Sequence, residues 1–127
     1  EILETGANQQ PVLIHSDLHG EHIFTQAGKL TGIIDFGASC IAIPAWDFAV
    51  FAYYHGWAIP KEVLIRYHPS VTKRKRYLSQ AQKLALAISL YKLAKSVQAN
   101  VSQKKTVRIR TFIAQLLDSL ENAAYPL

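Results

Sequence analysis

Apolar residues in this chain change their spacing near Gly37. Before it they come in short runs. Val12-Leu13-Ile14 leads to His15, and a polar stretch from Ser16 to Glu21, containing Gly20, reads as a loop. His22-Ile23-Phe24-Thr25 predicts a strand, Gln26-Ala27-Gly28-Lys29 a turn, and Leu30 to Phe36 the returning strand of a hairpin. After Gly37 the strand signals stop. Pro44-Ala45-Trp46-Asp47 predicts a helix start, with Phe48, Val50, Phe51 and Tyr54 facing inward. Pro60 opens a second helix through Tyr67, ended by Pro69. Ser79 to Gln98 has Leu84, Ile88, Tyr91 and Ala94 at helical steps, and Lys104 to Asn122 has Ile109, Phe112, Ile113, Leu116, Leu117 and Leu120. Residues 1–10 read as the end of an earlier helix. The expected fold is α+β and mainly α: one domain, a small hairpin followed by about four helices.

Composition narrows the setting. Half the residues are hydrophobic and 18% are charged, enough for a packed core. The chain begins at Glu1 and has no Met, so a piece of a longer protein is expected. One cysteine, Cys40, excludes an internal disulfide and suits a reducing cytoplasm. No signal peptide is visible. The apolar run from Ile33 to Tyr54 contains Asp35, Gly37, Pro44 and Asp47, so it reads as core and no membrane span is expected. The formal charge is +5, concentrated in Lys73–Arg76 and Lys104–Arg108. No aromatic ladder accompanies these runs, so they read as a solvated face and no nucleic-acid partner is expected.

The chemistry is concentrated in His15–Gly37, HSDLHGEHIFTQAGKLTGIIDFG. It opens on His15-Ser16-Asp17, places His22 five residues after Asp17, and ends on Asp35-Phe36-Gly37. In kinase signatures a catalytic loop H-R-D-x-x-x-x-N precedes a metal-binding D-F-G. With the following PAWDFAVF, the stretch resembles the aminoglycoside phosphotransferase and choline kinase superfamily. Those small-molecule kinases typically carry H-G-D-L-H-x-x-N, then I-D-F-G or I-D-W, then a Pro and an Asp opening a helix. The motif covers about residues 12–55. The resemblance implies a protein-kinase-like C-terminal lobe that moves the γ-phosphate of ATP or GTP to a small-molecule hydroxyl with Mg²⁺ or Mn²⁺, in an antibiotic-resistance-like setting.

Each candidate residue also has a plainer role open to it. Asp17 is the candidate base for the acceptor hydroxyl; a loop Asp also caps turns. Asp35, held at a strand end, is the candidate principal metal ligand; a salt bridge or helix cap would also occupy it. Gly37 lets the chain turn away. His22 stands where the commoner residue is Asn. Its ring nitrogen suits Mg²⁺ less, and Mn²⁺ or Zn²⁺ more, than an amide oxygen; a structural hydrogen bond is the alternative. The resemblance implies that His15 packs beneath the loop and bonds backbone near Asp35, and that Asp47 braces the loop. As the first-turn carboxylate of its helix, Asp47 also faces the helix dipole. His15, Asp17, His19 and His22 together form a weaker candidate zinc set. Trp46 and Phe48 read as core.

A Gly-rich phosphate loop and a strand Lys do not appear in the sequence; in the resembling kinases they belong to an N-terminal lobe. The chain is therefore expected to lack most of the nucleotide clamp, to be inactive alone, and to self-associate through apolar surface around Val12–Phe36. Two other functions stay open: a pseudokinase-like binding module and a metal-dependent hydrolase. After Gly37 the acids are Asp47, Glu62, Asp118 and Glu121, against many more Lys and Arg. The expected acceptor is accordingly neutral, anionic or singly charged, not polycationic.

Overall fold

The computed structural model describes residues 10–99 and 102–122. The helix end expected over residues 1–10 lies outside them, apart from Gln10. Among the described residues four short strands come first: β1 Val12–Ile14, β2 Ile23–Gln26, β3 Lys29–Ile33 and β4 Cys40–Ala42. Four helices follow: α1 Ala45–His55, α2 Ala58–Tyr67, α3 Val71–Gln98 and α4 Gln103–Glu121. Mainly helical α+β architecture is thus observed. Among the described residues no helix is long and apolar enough to cross a membrane.

The strands form two separate antiparallel pairs. The expected hairpin pairs β2 with β3, Ile23 opposite Ile33 and Gln26 opposite Lys29, with a bulge at Phe24/Thr25. Its two-residue turn puts both Ala27 (φ 49) and Gly28 (φ 73) in left-handed conformation. The return strand stops at Ile33, short of Phe36, because Asp35 itself turns left-handed and Phe36–Ala38 winds into a single 3₁₀ turn. The second pair corrects the expectation that strands end at Gly37. Cys40–Ala42 aligns with β1, Val12 opposite Ala42 and Ile14 opposite Cys40. Three residues are too few to show a period of two, and the partner lies far back in the chain.

The helical packing also departs from the expected faces. The fully covered residues of α1 are Ala45, Ala49 and Ala52, whereas Phe51 and Tyr54 are half-buried. Ala45 and Ala49 meet Ala81 and Ala85 of α3, with Leu116 of α4 completing the cluster. Without large side chains between them, α1 and α3 approach closely, and the aromatic residues of α1 move to the flanks. Helix α3 starts at Val71, eight residues before the expected Ser79, where the Ser70 hydroxyl accepts from Lys73 N at 3.4 Å. Its first turns contain the Lys73–Arg76 run, of which Lys73, Lys75 and Arg76 are exposed. Leu84 and Ile88 pack at the core margin, but Tyr91 and Ala94 are exposed. Ser89 and Ser96 are buried instead, each hydroxyl donating to the carbonyl four residues back, Ala85 and Lys92. In α4 the expected stripe is observed, with Ile109 and Leu116 buried and Phe112 and Leu120 beside them; Leu117 is exposed.

The hairpin turn supplies a stability test. Ala is poor in a left-handed turn position that Asn tolerates. Ala27→Asn is expected to stabilise the fold by about 0.5–1 kcal/mol, read as a higher thermal midpoint; Ala27→Val is expected to lower it.

Candidate active site

The site is built on the loop leaving β1. Ile14 is buried and anchors the strand end, and His15 follows at 5% exposure. The Asp47 carboxylate, in the first turn of α1, grips this loop with both oxygens. Oδ2 accepts from His15 N at 2.9 Å and Oδ1 from Ser16 N at 2.8 Å. From the adjacent position on the same helix, the Trp46 indole donates to Ser16 O at 3.2 Å. Both backbone groups of Ser16 are thus held, and Ser16 is left-handed at φ 72. That conformation costs a non-glycine residue about 1–2 kcal/mol, and the Asp47 and Trp46 bonds hold it in place. The next residue, Asp17, is set at the edge of the loop with its side chain 43% exposed.

A histidine layer ties the loop to the hairpin. His15 Nε2–H donates to Ile34 O at 2.7 Å, and its ring packs on Phe36 at 4.7 Å. This bond holds the carbonyl immediately before Asp35, which is left-handed at φ 62, ψ 56. The conformational demand at this corner therefore falls on Asp35 rather than Gly37. Gly37 is not in a left-handed conformation, and a Cβ there would meet only Asp35 Oδ1, at an ordinary 3.5 Å.

His22 bridges the two segments. Its Nδ1–H donates to Asp17 O at 2.9 Å, and its Nε2 lies 3.5 Å from Asp35 Oδ2. With Nδ1 carrying the proton, the neutral ring presents the Nε2 lone pair to a carboxylate. Two acceptors facing each other across this gap fit a divalent cation between them, and a backbone carbonyl on Nδ1 is the usual way a ligating histidine is oriented.

Sequence reasoning missed three supports. Trp46 was assigned to core, yet its N–H holds the loop. His55, at the end of α1, accepts from Gly20 N at 2.8 Å, and a Cβ on Gly20 would come within 3.0 Å of its ring. Nothing in the sequence pairs residues 35 positions apart. Ser16 stands where the resembling motif has Gly, and that substitution was the one readable sign of a left-handed position.

Asp17 opens onto a cleft of about 460 Å³ between this loop, α1 and α3. Trp46, Val50, Tyr54, Leu84, Ile88 and Tyr91 give it apolar and aromatic walls. The charged residues lining it are Asp17 and Lys92. Lys92 Nζ lies 6.0 Å from the Tyr54 ring centroid. Close by, burial raises the pKa of the Tyr53 hydroxyl above its ordinary value, with Lys92 opposing the shift.

A loop braced from a helix thus carries a carboxylate to the edge of an apolar cleft. Residues 1–75, more than half of the chain, match the family model described as the phosphotransferase enzyme family. The chain belongs to that family, within the aminoglycoside phosphotransferase and choline kinase-like superfamily. It is similar to a homoserine kinase from Zymomonas mobilis, 34% identical over 50 residues, which is 39% of this chain and 15% of that protein. No solved structure matches it.

Removing the Asp47 carboxylate leaves two backbone N–H groups of the loop without acceptors. Asp47→Ala is expected to destabilise the chain by about 2–4 kcal/mol, measured by denaturant unfolding. A loss within error would mean that water replaces the carboxylate at no cost.

Proposed function

We propose that this chain carries the phosphoryl-transfer centre of an ATP- or GTP-dependent kinase acting on a hydroxyl of a small molecule. The observation that carries the reading is the placement of Asp17. Its carboxylate lines an apolar cleft, while its own backbone carbonyl orients His22 toward Asp35. In this reading Asp17 orients the acceptor hydroxyl in the cleft and takes its proton as the oxygen attacks the γ-phosphorus. The bond from that phosphorus to the β–γ bridging oxygen breaks, and the nucleoside diphosphate leaves with the electron pair. His22 Nε2 and Asp35 would hold Mg²⁺ or Mn²⁺, which would supply neutralisation of phosphate charge. His15 and Asp47 keep Asp17 and Asp35 in register.

The phosphate-clamping elements, in this reading, belong to sequence outside these 127 residues. The exposed apolar side chains of the two strand pairs, Leu13 and Ile41 on one and Phe24, Leu30 and Ile33 on the other, are the surface that such a lobe would cover. The chain alone is accordingly inactive, and it works in the cytoplasm, where nucleoside triphosphates are held.

The cleft also supports an acceptor class. A single acid, Asp17, already has a role, and the other charge in the lining is Lys92. A polycation would meet one carboxylate and one repelling ammonium, whereas a neutral or anionic hydroxyl compound with an apolar body matches the walls.

Two tests follow for a form of the protein that turns over nucleotide. Asp17→Ala and Asp35→Asn, the latter keeping a side chain that tolerates the left-handed backbone, are each expected to lower kcat by about 10²–10⁴-fold with an unchanged thermal midpoint. Full activity in either variant rules out the assignment. In an acceptor screen, neutral or anionic hydroxyl compounds are expected to be phosphorylated, and Lys92→Ala is expected to raise KM about tenfold for anionic ones. Efficient turnover of polycationic aminoglycosides alone contradicts the acceptor class.

A further inference from the structure

The histidine layer contains one more donor than phosphoryl transfer uses. His19 precedes the one-turn 3₁₀ segment Gly20–His22, and His22 N donates to His19 O at 3.0 Å, which keeps the two residues close. Their centroids are 3.9 Å apart. His19 Nε2 lies 3.9 Å from Asp17 Oδ2, and one donor atom from each of Asp17, His19 and His22 falls within 4.8 Å of the others. The His19 side chain is 12% exposed and its ring also lies against the Tyr54 ring at 4.6 Å, so it is held rather than free to swing into water. Asp35 Oδ2 stands 3.5 Å from His22 Nε2.

We propose that Asp17, His19 and His22 form a site for a borderline transition-metal ion, Zn²⁺ in the first instance, with Asp35 as an available fourth ligand. Two imidazoles and carboxylate oxygens are a zinc donor set, and Mg²⁺ prefers oxygen. Tetrahedral zinc with bonds of about 2.0–2.2 Å places its ligand atoms roughly 3.3–3.5 Å apart. The His22–Asp35 separation already has that value, and the Asp17–His19 separation reaches it by a small side-chain rotation. The hydrogen bond from His22 Nδ1 to Asp17 O leaves Nε2 free to ligate, whichever metal is bound. The inference shares Asp17, His22 and Asp35 with the proposed kinase centre and adds His19. Zinc bound through the Asp17 carboxylate removes the base from the acceptor cleft, so it blocks transfer while Mg²⁺ permits it.

The test uses the 127-residue chain without nucleotide or acceptor, so that its failure is distinct from failure of the kinase reading. Titration with Zn²⁺ by calorimetry, and with Co²⁺ followed through its visible d–d bands, is expected to give one ion per chain with tetrahedral intensity. Mg²⁺ at the same concentrations is expected to give no saturable signal. His19→Ala is expected to weaken Zn²⁺ binding about tenfold or more, whereas His68→Ala and Cys40→Ser, which remove other potential metal-binding side chains, leave it unchanged. Circular dichroism melts of each variant establish that the fold persists. Zinc bound equally well by His19→Ala, lost in Cys40→Ser, or matched by Mg²⁺ overturns the proposal.

Discussion

The grip of the Asp47 carboxylate on the amides of His15 and Ser16 is the contact on which the site depends. It joins the helical layer to the loop, and it does so with charge-assisted bonds in a partly buried setting. Each end matters. On the helix side, the carboxylate lies in the first turn of α1, where the dipole favours a negative charge. On the loop side, it fixes the amides of His15 and of the left-handed Ser16, the residue from which Asp17 departs. Trp46 holds the carbonyl of the same residue from one position away. A strained backbone residue held at both its N–H and its C=O is a rigid support for the carboxylate that follows it.

That grip works only because α1 is itself fixed. Ala45 and Ala49 let α1 lie close to Ala81 and Ala85 of α3, and Leu116 of α4 closes the cluster. The small residues have a second consequence. Large aromatic side chains of α1 cannot sit between the helices, so Trp46 and Tyr54 turn to one flank and line the cleft beside Asp17. Phe48 and Phe51 turn to the other and line a groove of about 320 Å³ with Leu18, Ile59 and Val63. The core and the cleft are therefore two results of one packing choice.

The histidine layer extends this rigidity to the hairpin. His15 holds Ile34 O, and His22 holds Asp17 O, so the catalytic-type loop and the corner at Asp35 are tied twice across the chain. Each bond fixes a tautomer and leaves the other ring nitrogen unprotonated in the neutral form. For His22 that nitrogen faces Asp35; for His15 it is Nδ1, which is buried without a hydrogen-bond partner among the described residues. The first arrangement sets a ring nitrogen 3.5 Å from a carboxylate oxygen. The second leaves a polar atom uncompensated beneath the loop, and the surrounding contacts with Phe36 and His22 offset it.

Much of this was legible in the sequence, for local reasons. The hairpin followed from a Gly-containing turn between apolar runs, α4 from its clean helical period, and the α1 start from Pro44. The grouping of Asp17, His22 and Asp35 followed from the spacing of the loop and corner motifs around that hairpin. Other features were fixed by contacts far apart in the chain. Strand β4 exists because β1 lies beside it, not because Cys-Ile-Ala favours a strand. Which face of α1 is buried was decided by the close approach of α3, which an amphipathic pattern dominated by aromatics conceals. The left-handed turn of Asp35, the indole of Trp46 on Ser16 and the ring of His55 on Gly20 all depend on pairs 19 to 35 residues apart meeting in space. Sequence spacing carries the period of a helix or a turn; it does not carry the distance between two elements, and that distance set the geometry of the site.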